Sequence, residues 1–143
     1  MDRDEIKRYL PHREPMLLVD RSEYVGDEVQ SEYTIREDDF FLKGHFPGDP
    51  LVPGVILCEI MAQSCFLLFK DGLVDHIALY AGMDKVKFRR MVRPGDTVMV
   101  RAKVTVRRET YFVVEASAKV EGALCCRGTL SFVLLKKENH ETA

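Results

Sequence analysis

The chain of 143 residues contains no run of roughly 20 apolar residues, the length a helix needs to cross a bilayer. Its first ten residues, MDRDEIKRYL, are charged from the second position onward, which is not the pattern of a secretory signal. An excess of one charge is also missing, and a formal net charge of −2 argues against a dedicated nucleic-acid binder. The four cysteines, Cys58, Cys65, Cys125 and Cys126, form no CxxC spacing and lie in apolar segments. They read as buried, reduced small hydrophobes of a cytosolic protein rather than as a disulfide framework. The four histidines show no HxH or HExxH spacing, so no metal site is expected. Neither an internal repeat nor a linker is visible. The length fits a single domain, 1–143, with a substantial core.

Residues 2–10 have the pattern of a short helix, with Asp2 placed to cap it and Pro11 placed to stop it. MLLVDRSEYV (16–25) and EVQSEYTI (28–35) read as strands joined through Gly26-Asp27. The stretch from Arg36 to Pro53 is a long loop, and long ordered loops tend to be functional. Pro53 suits the first turn of a helix over 54–70, which Asp71-Gly72 ends. Of residues 55–69 only Glu59, Gln63 and Ser64 are polar, which predicts a helix buried on nearly all sides.

Everything beyond reads as sheet: 76–90, a turn at Arg93–Asp96, then 97–109, 110–122 and 123–135 as a meander. In 97–109, Val98, Val100, Ala102, Val104 and Val106 share one face. The tail, 136–143, is polar and expected to fray. One long buried helix with five or six mostly antiparallel strands is an α+β architecture in which the sheet wraps the helix, the hotdog arrangement.

GHFPGDPLVPGV (44–55) is a stiff loop running into a helix N-terminus, where unpaired N–H groups, Gly54 among them, create a partial positive charge. Such donors can polarise a thioester carbonyl. A neutral imidazole at His45 can remove the adjacent α-proton. A carboxylic acid at Glu59, in apolar surroundings, can protonate a leaving hydroxyl. Base, oxyanion donor and acid for an α,β-elimination are therefore all present. Each also has a plainer reading. Glu59 can be a structural carboxylate bonded to Gln63 at i+4, and His45 a satisfied loop residue. His12, His76 and His140 have nothing comparable around them and read as ordinary polar residues.

GHFPGDPLVPGV followed by Glu59-Ile60-Met61-Ala62-Gln63 resembles the signature of the FabZ-type (3R)-3-hydroxyacyl-acyl carrier protein dehydratases. LPHREPMLLVDR (10–21) and AGMDKVKFRRMVRPGD (81–96) agree with it, and the similarity spans roughly residues 5–135. The resemblance implies a hotdog fold and reversible dehydration of (3R)-3-hydroxyacyl-acyl carrier protein to the trans-2-enoyl product in type II fatty acid synthesis. It also implies dimers with joined sheets, commonly three to a hexamer, and no metal or organic cofactor. By motif, His45 and Glu59 match the catalytic pair, contributed by different subunits. Gly54 matches the glycine whose N–H holds the thioester carbonyl. Glutamate at 59 favours this subgroup over the FabA-type dehydratase-isomerases, which carry aspartate there. Met91, Ile60 and Asp49 depart from the usual pattern. A thioesterase on the same fold and a non-catalytic carrier-binding subunit are the alternatives.

Between Lys85 and Arg108 the chain carries nine basic residues and one acid, Asp96. Some of these are solvated strand faces. Lys85, Lys87, Arg89 and Arg90 are the candidates for attracting an acidic carrier protein.

Overall fold

The computed structural model describes residues 1–137. Helix α1 (Arg3–Ile6) opens with the expected cap: Asp2 accepts from the Glu5 N–H at 3.0 Å, and the Glu5 carboxylate returns to the Asp2 N–H. The six strands are β1 (Arg21–Val25), β2 (Glu28–Thr34), β3 (His76–Phe88), β4 (Thr97–Arg108), β5 (Tyr111–Val120) and β6 (Ala123–Lys136). They form one antiparallel sheet in the order β1-β2-β4-β5-β6-β3. Helix α2 (Gly54–Ser64) packs against β2, β4, β5 and β6. The α+β hotdog arrangement read from the element order is the one observed.

Turn chemistry sets the connections. Phe46-Pro47-Gly48-Asp49 closes with an Asp49 N–H to Phe46 O bond of 2.9 Å, proline second and glycine third with φ +76°. Arg93-Pro94-Gly95-Asp96 repeats the pattern, with φ +91° at Gly95. Both are the residue preferences of a type II turn, whose third position needs the left-handed region.

The structure corrects four expectations. The helix expected over 2–10 is α-helical only over Arg3–Ile6, and beyond it the bonds tighten to Arg8 N–H on Glu5 O and Tyr9 N–H on Ile6 O. The segment 16–25 is strand only from Arg21, because the backbone at Met16 and Leu18 bonds to the Gln63 side chain instead of to a neighbouring strand. The helix over 54–70 stops as an α-helix at Ser64 and continues as a 3₁₀ segment, Phe66–Val74, with a kink at Phe69. Carbonyls at and just beyond the α-helix end are taken by distant groups. Ser31 donates to Ser64 O, Tyr24 to Leu67 O, and Arg107 to Leu68 O. The inward alternation of β4 holds through Ala102 and then fails, leaving Val106 exposed beyond a bulge at Val104/Val106. Lys136 belongs to β6 and the Lys137 N–H donates to Asp75 O, while the rest of the polar tail, 138–143, lies outside the described residues.

All four cysteines are buried as free thiols, and burial pushes Cys126 up to about 12. The native protein should therefore react slowly with a thiol reagent at pH 8 and rapidly at all four positions once denatured. Fast labelling without denaturant would contradict this packing.

Candidate active site

The His45 loop is fastened to itself. Gly44, with φ +81°, turns the chain, and the Leu51 N–H donates to His45 O at 2.8 Å. The His45 ring returns the contact, its Nδ1 lying 3.0 Å from Leu51 O. A carbonyl only accepts, so Nδ1 carries the hydrogen and Nε2 of the neutral ring keeps its lone pair. The ring stacks on Phe46 at a centroid separation of 4.2 Å, across a cis His45–Phe46 peptide. Val52 then pairs with Val92 O, tying the loop to the β3–β4 connection.

Seven of the eleven residues of α2 are buried. The remaining stripe carries Val55, Ile56 and Glu59, spaced to share one face. The Glu59 side chain is 23% exposed, so it borders the surface. The plainer sequence reading is partly realised: the Gln63 amide donates to Glu59 Oε2 at 2.8 Å. Gln63 itself is fixed, donating to Met16 O and accepting from the Leu18 N–H, each at 2.8 Å.

At the start of α2 the Gly54 N–H has no hydrogen-bond partner among the described residues. A side chain there would meet Phe88, whose Cε1 lies 2.9 Å from an ideal Cβ. Glycine is what lets the half-exposed Phe88 ring lie over the helix end. Among the described residues no hydrogen bond or ion pair joins His45 to Glu59 within the chain.

Sequence reasoning missed His12. Its Nε2 lies 3.5 Å from Glu59 Oε2, a contact that a sequence separation of 47 hides from any local pattern. His76, by contrast, pairs with its neighbour Asp75 at 2.6 Å, as an ordinary polar residue would.

Of the candidate carrier-binding residues, Lys85 and Lys87 border a groove of about 560 Å³ on the sheet, together with Arg101, Lys103 and Arg127. Arg101 and Lys103 face Glu28 and Glu115 at 3.4 and 3.9 Å. Lys85, Lys87 and Arg127 have no carboxylate partner among the described residues. Arg89 and Arg90 are exposed at the end of β3, outside that groove. Asp49 is neutralised by Arg93 at 2.6 Å.

A sheet wrapped on a helix, with a histidine loop and a helix carboxylate, defines a hotdog protein. Solved structures agree: the dehydratase heterocomplex ApeI:P from Xenorhabdus doucetiae superimposes with a TM-score of 0.81 at 21% identity, covering 96% of this chain and 95% of that one. A mutant thioesterase from Pseudomonas aeruginosa gives 0.69 at 12% identity over 95% of each chain. At such identities these likenesses establish the fold alone. The FabA-like domain family matches residues 10–129. A 3-hydroxyacyl-[acyl-carrier-protein] dehydratase FabZ from Streptococcus sanguinis is 44% identical over 94% of this chain and 98% of its own length. The FabZ of Streptococcus suis is 45% identical over 92% and 96% respectively. The chain belongs to the FabA-like family and is similar to its FabZ dehydratases.

Replacing Gln63 with leucine would strip partners from the Leu18 N–H and Met16 O together. The cost should be roughly 3 kcal/mol, the scale for two orphaned buried groups, read as a lower denaturant midpoint. An unchanged midpoint would mean those groups find other partners.

Proposed function

We propose that the chain is a 3-hydroxyacyl-[acyl-carrier-protein] dehydratase of type II fatty acid synthesis, acting in the cytoplasm. The observation that carries this is near-full-length identity of 44% to FabZ dehydratases, with His45 and Glu59 in the geometry described above. Thioesterase likenesses are confined to the fold, at 12–16% identity.

In this reading the thioester carbonyl sits on the Gly54 N–H at the positive end of α2, which favours charge developing on its oxygen. Nε2 of His45 takes the proton from C2, and the electrons of that C–H bond form the C2=C3 double bond. The C3–O bond breaks, and Glu59 gives its proton to the departing hydroxyl as water. His45 then holds the extra proton and Glu59 is a carboxylate; return of the proton between them through solvent resets the site.

The lack of any hydrogen bond or ion pair between His45 and Glu59 among the described residues of one chain favours a dimer that pairs the loop of one copy with the helix of the other. Strand β3 supports this. It is a 13-residue edge with exposed Leu79, Tyr80 and Met83, a form of edge that invites pairing. A hexamer of three such dimers is the assembly that the resemblance implies. Lys87 precedes Phe88, which lies over Gly54, and pairs in register with Arg127; with Lys85 in the same groove, these cations, without carboxylate partners among the described residues, suit an acidic carrier approaching the site.

Purified protein supplied with a (3R)-3-hydroxyacyl-carrier substrate should release enoyl thioester. H45A and E59Q should each lose about 10²- to 10⁴-fold in turnover. Mixing the two inactive variants and allowing subunits to exchange should restore about a quarter of wild-type turnover, since half the dimers then hold one intact site. No recovery on exchange would place base and acid in the same chain. Free acid in place of enoyl product would make the protein a thioesterase.

A further inference from the structure

Nδ1 of His12 is buried and has no hydrogen-bond partner among the described residues. A hydrogen on that atom would be an orphaned donor, which is costly in a protein interior. The ring's single hydrogen therefore belongs on Nε2, the atom 3.5 Å from Glu59 Oε2. That distance is slightly beyond a good hydrogen bond, and contacts of this kind in unliganded sites shorten when substrate is bound.

His12 is not loosely placed. Arg13 donates to His12 O at 2.7 Å and to Leu10 O at 2.8 Å, and its other nitrogen reaches Lys7 O. Arg3 holds Glu14 at 2.8 Å, and its guanidinium keeps that carboxyl well below the usual carboxylate range, at about 2. Beyond Glu14, Met16 and Leu18 are fastened to Gln63. The segment that carries His12 is thus pinned on both sides, and one of the pins is the amide that also grips Glu59.

Both contacts on the Glu59 carboxylate fall on Oε2, leaving Oε1 free of them. We infer that His12 is a positioning residue for the elimination: its Nε2–H and the Gln63 amide hold Oε2 so that Oε1 carries the transferred proton and the negative charge left behind meets two donors. This rests on the dehydratase reading above. The other titratable groups around Glu59 are Tyr80, whose hydroxyl donates to Cys58 O, and Cys58 itself. Burial and then the Glu59 charge push the Tyr80 hydroxyl up, and burial pushes Cys58 up, so both stay neutral at working pH. Arg13 adds its charge behind His12, through the His12 carbonyl.

The test compares wild type with H12L, which keeps bulk without a donor, and H12Q, which keeps an amide N–H near the Nε2 position. With a (3R)-3-hydroxyacyl-carrier substrate, H12L should lower kcat about tenfold with little change in KM. H12Q should recover most of the rate. Wild-type kcat in H12L would overturn the inference, as would equal losses in H12L and H12Q. Nitrogen NMR of wild-type imidazoles gives an answer independent of turnover: the Nε2–H tautomer is expected, and the Nδ1–H tautomer would overturn it. Wild type that forms no enoyl product would overturn the dehydratase reading itself.

Discussion

The side chain of Gln63, 2% exposed, accepts from the Leu18 N–H and donates to Met16 O and Glu59 Oε2, and in doing so connects three parts of the chain. It ends the need for a strand at residues 16–19, whose apolar side chains Leu17, Leu18 and Val19 can then all turn inward. It fixes that segment against α2, where a pair of strands could not reach. The same amide sets one oxygen of Glu59. A buried polar group is tolerated when its bonds are made and expensive when one is lost. The wall of the site and the orientation of its carboxylate are therefore coupled through one side chain.

His45, the proposed base, is held by a different device with the same logic. His45 sits in a loop that cannot rely on helical hydrogen bonds, so the loop closes on itself, with both backbone groups of Leu51 engaged by residue 45. The carbonyl fixes the tautomer, which a loop histidine in solvent would leave undecided. The proposed acid, Glu59, and the proposed base, His45, each keep one heteroatom occupied by the protein and one available. That division is what a proton-transfer pair requires, because an atom already satisfied by the scaffold is a poor partner for substrate.

What could be read from the sequence was whatever depended on neighbours along the chain. The Pro-Gly turns at 47–48 and 94–95, the helix start after Pro53, the Asp2 cap and the inward faces of the strands are local consequences of backbone preference and periodicity. The helix end was not legible, because it is fixed by Tyr24, Ser31 and Arg107 capturing carbonyls from far away. Nor was the role of Arg127 in the basic groove, since β6 lies beside β3 only through the strand order. His45, Glu59 and Gly54 stood out by motif. His12 did not, for its partner is remote in sequence and the burial of its Nδ1 is a property of the folded chain alone.

The surface left over by a single chain is informative in its own right. Phe46 follows His45, Val55 follows Gly54 and lies one turn from Glu59, and Phe88 covers the start of α2. All three are at least half exposed, Val55 by 74%. Scattered apolar residues need no explanation, but apolar residues flanking each proposed functional group form a pattern. Covering them in the proposed dimer would contribute about 25 cal/mol per Å² of apolar area buried. The same covering would remove water from around Gly54, where a helix-end dipole acts more strongly as the local dielectric falls. In that assembly the driving force for association and the electrostatic preparation of the site come from one event, which is why the chain can leave greasy side chains in solvent beside its most polar residues.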